Sequence, residues 1–143
     1  MSHPAHACSR REFTRATLMT GLAAASGTLE VLAAAEPARR IRTGVIGCGS
    51  VSQSYLPVLT NSPFVEVVSL CDRRYERAQK QGESFKVDNT YSHIDDMLAG
   101  VPFDLLVTLT DMQEHEHLNR RALEAGKHVV TDKVMCLNLA ECD

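Results

Sequence analysis

The chain has 143 residues, enough for one domain of ordinary size. Hydrophobic residues make up 44% of it and charged residues 23%, a balance that excludes an intrinsically disordered chain. The formal net charge of −3 argues against a nucleic-acid-binding surface, which is normally basic. The five cysteines form no C-x-x-C pair, so their spacing indicates neither a zinc ribbon nor a disulfide framework, and we expect buried or incidental thiols.

The first 37 residues have the pattern of an export signal rather than that of a folded domain. The paired arginines Arg10 and Arg11 precede a mildly apolar run that is rich in Ala, Thr and Gly. This arrangement resembles a twin-arginine signal, and the alanines at 33–35 offer a cleavage site. We therefore expect a signal over 1–37, a folded domain over 38–143, and a periplasmic or secreted protein.

The same segment has two other interpretations. An amphipathic N-terminal helix would leave the protein in the cytoplasm. A permanent transmembrane helix needs ~20 apolar residues, whereas this run is only mildly apolar and is interrupted by Glu30. Because no other segment is long and apolar enough to cross a bilayer, we expect no stable membrane span.

From residue 41 onward the sequence alternates between strand-like and helix-like stretches. Apolar residues run almost continuously in the former and recur at spacings of three and four in the latter. This alternation predicts an α/β fold, a doubly wound parallel sheet of the Rossmann type. Pro57 is expected to shorten or kink the first helix. The predicted strands cover 41–47, 65–71, 103–109 and 128–131, and the predicted helices include 75–85, 94–100 and one that ends before Gly126.

The stretch TGVIGCGSVSQ, residues 43–53, carries a G-x-G-x-x-S pattern between a predicted strand and a predicted helix. In this setting Gly47 allows a tight turn, Gly49 lets the backbone approach a pyrophosphate, and Ser52 permits close packing of helix on strand. The N–H groups and the positive end of the helix dipole then face the phosphates. The pattern predicts a dinucleotide-binding turn.

Asp72 supplies a second signal for the same site. It ends the second predicted strand, 23 residues after Gly49 (72 − 49 = 23), close to the ~20 expected for an acid that binds the ribose hydroxyls. The simpler alternative is that Asp72 caps the following helix, and both roles are compatible.

Four stretches together resemble the N-terminal domain of the Gfo/Idh/MocA oxidoreductases, the family of glucose–fructose oxidoreductase and inositol dehydrogenase: GVIGCGSVS, LCDRRYERA, YSHIDDML and ALEAGKHVVTDK. The resemblance runs from residue 41 to the end of the chain and implies a Rossmann domain that carries NAD or NADP. In this family a second α/β domain follows and supplies most of the substrate site. The resemblance therefore implies that the 143-residue chain binds a dinucleotide without turning over a substrate alone.

The resemblance also implies roles for individual residues. Gly47, Gly49 and Ser52 would hold the pyrophosphate, and Asp72 would hold the adenosine ribose. Arg73 would instead meet the 2′-phosphate of NADP, so NAD is the expected cofactor and NADP the alternative.

Two further motifs of the family correspond to later parts of the chain. Thr110 begins the T-P-N-x-x-H stretch and His115 matches its histidine, while Asp111 and Met112 replace its proline and asparagine. The resemblance implies cofactor contacts for Thr110 and His115. The alternative for His115 is a helix-surface residue.

Asp132 and Lys133 match the Glu-Lys of the family's E-K-P motif, and Val134 replaces the proline. The resemblance implies that both contact the cofactor and that Lys133, near nicotinamide and substrate, is the catalytic residue. The alternative is an ordinary lysine at a strand end.

Two remaining features have simple explanations. His115 and His117 point about 200° apart on a helix, so we expect no metal site. The charged run RRYERAQK, residues 73–80, is most simply the solvated face of the second helix.

The sequence thus predicts the cofactor domain of an exported NAD(P)-dependent oxidoreductase that transfers a hydride between nicotinamide and a sugar, polyol or related carbohydrate. One alternative is an enzyme that cleaves glycosides through transient oxidation by bound NAD. Another is a non-catalytic module that only binds a dinucleotide.

Overall fold

The computed structural model of the protein describes residues 39–141, so the predicted signal over 1–37 lies outside the described residues. Strands and helices alternate along this part of the chain, as the sequence predicts. The strands are β1 (Ile41–Ile46), β2 (Val65–Cys71), β3 (Thr90–Tyr91), β4 (Leu105–Thr108) and β5 (His128–Thr131). The helices are α1 (Ser52–Asn61), α2 (Tyr75–Phe85), α3 (Ile94–Ala99) and α4 (Met112–Glu124), followed by a 3-10 turn at Leu139–Glu141.

The strands form one parallel sheet in the order β3-β2-β1-β4-β5. The first strand of the chain therefore lies at the centre of the sheet. Its last residue, Ile46, is in register with Cys71 of β2 on one side and with Thr108 of β4 on the other. The loops that follow these three strands consequently begin at the same edge of the sheet. The predicted Rossmann-type fold is confirmed.

Helices cover both faces of the sheet, because successive strand residues point to opposite faces. Val45, Leu70 and Val107 pack with Leu56 of α1 and Ala78 of α2. Their chain neighbours pack on the other face with side chains of α3 and α4, and this second cluster comprises Ile46, Cys71, Leu106, Ile94, Met97, Phe103, Leu118 and Ala122. Each fully buried aliphatic side chain of this kind stabilises the fold by about 1.5–3 kcal/mol.

The end of α4 confirms the prediction that a helix ends before Gly126. Its φ of +72° lies in the left-handed region, and its N–H donates to the Leu123 carbonyl at 2.9 Å. The N–H of Lys127 donates to the Ala122 carbonyl, also at 2.9 Å. These two bonds are those of a Schellman cap, which ends the helix and sends the chain into β5.

Some local predictions differ from the structure. β4 is shorter than the predicted 103–109, because Phe103 precedes the ladder and packs into the core. The two-residue β3 was not predicted. α1 continues past Pro57 to Asn61, so the proline does not end the helix. A proline inside a helix removes one main-chain hydrogen bond and its ring crowds the carbonyl four residues earlier, so a kink at Pro57 stays a prediction.

The cysteines of the described residues differ in their bonding state. Cys48 and Cys71 are free and buried, as expected for incidental thiols. Cys136 is disulfide-bonded, which corrects that expectation for this residue. Within residues 39–141, no helix combines the length and apolarity that crossing a membrane requires.

Candidate dinucleotide-binding site

The carboxyl ends of β1, β2 and β4 open into a cleft of about 540 Å³. Open parallel sheets bind ligands at this edge, where the loops diverge and leave a crevice. Of the residues that the sequence assigns to the cofactor, Gly47, Gly49, Asp72, Arg73 and Thr110 line the cleft. The assigned residues that do not line it are Ser52, His115, Asp132 and Lys133.

Gly47 makes the tight turn after β1. Its φ is +97°, and its N–H donates to the Cys71 carbonyl at 2.8 Å. A Cβ atom at this position would lie 2.6 Å from the carbonyl carbon of Leu109, closer than van der Waals contact allows. Only glycine satisfies both the backbone conformation and the approach of the loop that follows β4.

Gly49 has a different environment from Gly47. A Cβ atom there would meet only Nη1 of Arg77, at 3.7 Å, and would otherwise enter the open cleft. The absent side chain therefore leaves room for a ligand rather than for another part of the protein. Ser52, which is fully buried, donates its hydroxyl to the Gly49 carbonyl at 2.6 Å and holds the turn from below. This turn fits a pyrophosphate, which needs close approach to the backbone.

Asp72 connects the end of β2 to the glycine turn. One carboxylate oxygen accepts the N–H of Cys48 and the other accepts the N–H of Arg74, each at 2.8 Å. The side chain is 6% exposed and borders the cleft. α2 begins only at Tyr75, so Asp72 is not the helix cap itself. Because each carboxylate oxygen has a second lone pair, the fixed carboxylate retains the capacity to accept ribose hydroxyls.

The two thiols near the Asp72 carboxylate, those of Cys48 and Cys71, are poor nucleophiles. Burial, followed in importance by the nearby Asp72 carboxylate, raises the pKa of Cys48 and of Cys71 from 9.0 to about 12. Both sulfurs are therefore protonated at neutral pH, and the nucleophile in cysteine chemistry is the thiolate. Cys48 fills space in the turn and donates its S–H to the Cys71 carbonyl at 3.6 Å.

Charged side chains surround the mouth of the cleft. Nη2 of Arg73 lies 3.5 Å from Oδ2 of Asp111, and both residues line the cleft. The charged residues of 73–80 are exposed, as expected for a solvated face, and Arg77, in the first turn of α2, also lines the cleft. Its sequence signal is its position, because the first turn of a helix that follows β2 lies at the ligand-binding edge.

His115 is 1% exposed, so the alternative of a helix-surface residue is wrong. Its Nδ1 lies 2.6 Å from the Val134 carbonyl oxygen, and its Nε2 lies 3.0 Å from the Thr110 carbonyl oxygen. Carbonyl oxygens only accept, so the ring makes both hydrogen bonds when each nitrogen carries a proton. The imidazole thus joins the loop after β4 to the segment after β5.

Asp132 and Lys133 follow directly on β5. The N–H of Asp132 donates to the Thr108 carbonyl at 3.0 Å, which extends the β4–β5 ladder by one bond. Lys133 is exposed, and the His115 hydrogen bond to Val134 fixes the backbone just after it.

The cleft is also lined by residues to which the sequence analysis assigned no role in binding the cofactor. They lie at the beginning of α3 and in the first half of α4 and are His93, Asp95, Glu114 and His117. A hydrogen bond from Arg121 holds the pKa of Asp95 below its usual value. Among the side chains of 39–141, no group of three or more His, Cys, Asp or Glu is arranged to hold a metal ion.

Comparison with known proteins agrees with this geometry. Residues 41–143 match the Gfo/Idh/MocA family, an oxidoreductase family with an NAD-binding Rossmann fold. The chain belongs to this family. The described domain therefore has the NAD-binding Rossmann fold of this family.

Individual Gfo/Idh/MocA relatives are moderately similar to it. D-apiose dehydrogenase from Paraburkholderia graminis is 28% identical over 120 residues, or 84% of this chain and 32% of that protein. The WlbA dehydrogenase from Bordetella pertussis, solved with NADH and UDP-GlcNAcA, has a TM-score of 0.68 and 30% identity. The match covers 72% of this chain and 32% of the WlbA chain.

A 3-ketoreductase from Actinomadura kijaniata, solved with NADP, has a TM-score of 0.67 and 30% identity over 72% of this chain and 33% of that chain. The chain thus spans about a third of the length of the relatives it matches.

Proposed function

We propose that this chain is the cofactor-binding part of an NAD(P)-dependent oxidoreductase that acts on a sugar, polyol or related carbohydrate. The observation that carries the proposal is the open space in front of Gly49, at the edge where the Asp72 carboxylate is held. A pyrophosphate and a ribose need these two features side by side. The substrate class is supported by the sugar dehydrogenase and ketoreductase among the relatives.

The chain's own residues would bind and orient the dinucleotide. Gly47 would make the tight turn, Gly49 would let the pyrophosphate approach the backbone, and Asp72 would accept hydrogen bonds from the adenosine ribose. Arg77, beside Gly49, adds a positive charge where the phosphates would lie. Thr110, after β4, would border the nicotinamide side. The nicotinamide ring supplies the hydride chemistry when it is bound.

We propose Lys133 as the acid–base group, as the family resemblance implies. Removal of a hydride from a C–H(OH) carbon requires loss of the hydroxyl proton, and a lysine amine can take that proton. Lys133 lies after β5, at the same sheet edge as the cleft, although it does not line it. The hydrogen bond from His115 to the Val134 carbonyl would keep this segment in place.

Calorimetric titration of the 143-residue chain with NADH tests cofactor binding. We expect saturable binding that Gly49→Val abolishes, because the new side chain would fill the cleft. Gln79→Val, an exposed position on α2 outside the cleft, is the matched control and should bind normally. Unchanged binding by Gly49→Val would contradict the assignment of the glycine turn.

We further propose export through the twin-arginine route. The support is the sequence pattern alone: Arg10 and Arg11, the mildly apolar run, and the alanines at 33–35.

A further inference from the structure

One ion pair spans the mouth of the cleft. Arg73 follows β2 and Asp111 follows β4, the two strands that flank β1. Nη2 of Arg73 and Oδ2 of Asp111 are 3.5 Å apart, so the pair joins the loops on either side of the glycine turn. The two side chains are 68% and 75% exposed, which leaves both accessible to a ligand in the cleft.

The charged side chains at this end of the cleft differ in the partners that they contact. Asp72 is held as an acceptor by two main-chain N–H groups, so its position is fixed by the fold. Arg73, its chain neighbour, is the cation placed to meet a substituent on the ribose that Asp72 would bind. The carboxylate of Asp111 forms an ion pair with that cation. Arg77 makes no ion pair with any carboxylate of the described residues, and it lies beside Gly49 instead.

NAD and NADP share the pyrophosphate and differ by the 2′-phosphate on the adenosine ribose. A phosphate of about two negative charges is recognised by a guanidinium whose N–H groups are free to donate in pairs. To bind the 2′-phosphate, Arg73 would have to leave Asp111, and the phosphate would then lie near two carboxylates, Asp72 and Asp111. The uncharged 2′-hydroxyl of NAD meets no such cost.

We propose that Asp111 is a specificity-determining residue, which engages Arg73 and so favours NAD(H) over NADP(H). This inference rests on the proposed function, namely that the cleft binds a dinucleotide. It assigns selectivity to a residue after β4, on the opposite side of the glycine turn from the β2 acid. Arg77 has a different role. Because it would face the pyrophosphate that both cofactors share, it should increase the affinity for NAD(H) and for NADP(H) by the same factor.

Fluorescence titrations of the 143-residue chain with NADH and with NADPH test the inference. We expect the wild type to bind NADH more tightly. In Asp111→Asn the affinity for NADPH relative to NADH should rise by about threefold to fivefold, the scale of one exposed ion pair. Adding Arg73→Gln to Asp111→Asn should abolish that gain. Glu83→Gln, which removes the same charge from an exposed position on α2, should leave the ratio unchanged.

Two further variants keep the outcomes separable. Asp111→Ser, which retains a residue suited to the helix N-cap, should repeat the shift if Asp111→Asn loses structure by circular dichroism. Arg77→Gln should weaken NADH and NADPH by the same factor. If NADH binds but neither Asp111 variant changes the ratio, the inference is overturned. If the wild type binds neither dinucleotide, the proposed function itself fails.

Discussion

The carboxylate of Asp72 accepts the main-chain N–H of Cys48 at 2.8 Å, which ties the end of β2 to the turn after β1. The bond links residues 24 positions apart in sequence, and it fixes the acid and the glycine turn relative to each other before any ligand binds. A site whose polar groups are already held in place spends less binding free energy on ordering them.

Replacing Asp72 by Asn should therefore reduce both stability and affinity. The amide has only one acceptor oxygen, so its NH₂ group would face one of the two N–H donors. We expect a loss of about 1–3 kcal/mol in the free energy of unfolding and at least tenfold weaker NADH binding. Urea denaturation and calorimetry measure the two effects. Asp88→Asn, an exposed aspartate without an ion pair among the described residues, should change neither.

Substitution of the two glycines of the turn should affect stability at one position and NADH binding at the other. Gly47→Ala places a Cβ atom against the Leu109 backbone and forces an alanine to φ +97°, which should cost about 1–3 kcal/mol of stability. Gly49→Ala meets no main-chain atom, so its stability should be close to wild type while its affinity for NADH falls. Denaturation midpoints and titrations of both variants decide the matter. Equal stability losses would show that Gly49 is needed for the fold rather than for the ligand.

Stability should fall in alkali because of the two buried thiols. Their folded pKa of about 12 lies above the ordinary value of 9.0, so the folded state holds these protons more tightly than the unfolded state. The contribution of the two protonated thiols to the free energy of unfolding is complete below pH 9 and is lost as the pH rises towards 12. The pH dependence of urea unfolding should be less steep in Cys71→Ala than in Val107→Ala, which removes a buried side chain without a thiol. An identical slope in the two variants would contradict the pKa assignment.

Loss of the His115 ring should loosen the segment that carries Lys133. His115→Ala would remove the ring whose two nitrogens lie within hydrogen-bonding distance of the Thr110 and Val134 carbonyl oxygens, and hydrogen exchange in 131–138 should accelerate at least tenfold. His117→Ala, an exposed histidine on the same helix, is the control. Hydrogen exchange followed by mass spectrometry locates the change. Equal exchange in the two variants would show that the imidazole does not hold this segment.

Replacing Arg10 and Arg11 by lysine should block export while preserving charge. The twin-arginine route recognises the arginine pair, so the precursor should accumulate in the cytoplasm. Cell fractionation followed by immunoblotting measures the distribution. The export proposal is falsified if the doubly substituted protein still reaches the periplasm.

Much of the fold was predictable because its signals are local. A run of β-branched residues such as 65–71, a glycine after a strand, and Gly126 after a helical period each act through nearby sequence. The two-residue β3 carries too few residues to show a period of two. Its pairing with Leu70 and Cys71 depends on tertiary contact.

The candidate site was predictable where a backbone constraint fixes the residue type, as at Gly47, and where an acid follows a strand, as at Asp72. It was not predictable where long side chains meet across the cleft. The pairing of Arg73 with Asp111 joins residues 38 positions apart (111 − 73 = 38), and the position of Arg77 depends on where α2 begins. The burial of His115 likewise follows from the docking of the segment after β5 on α4.

The central position of β1 has a consequence for how the chain is made. During synthesis β1 emerges first, and β2 follows within 19 residues (65 − 46 = 19), yet β4 begins only 59 residues after β1 ends (105 − 46 = 59). Until Thr108 has left the ribosome, the earliest strand therefore has one bare edge, whose unpaired N–H and C=O groups can bind other chains. Pairing over such a separation is slow compared with local contacts. A nascent chain of this domain thus stays vulnerable to aggregation until β4 has emerged, and slow translation between β3 and β4 would lengthen that interval.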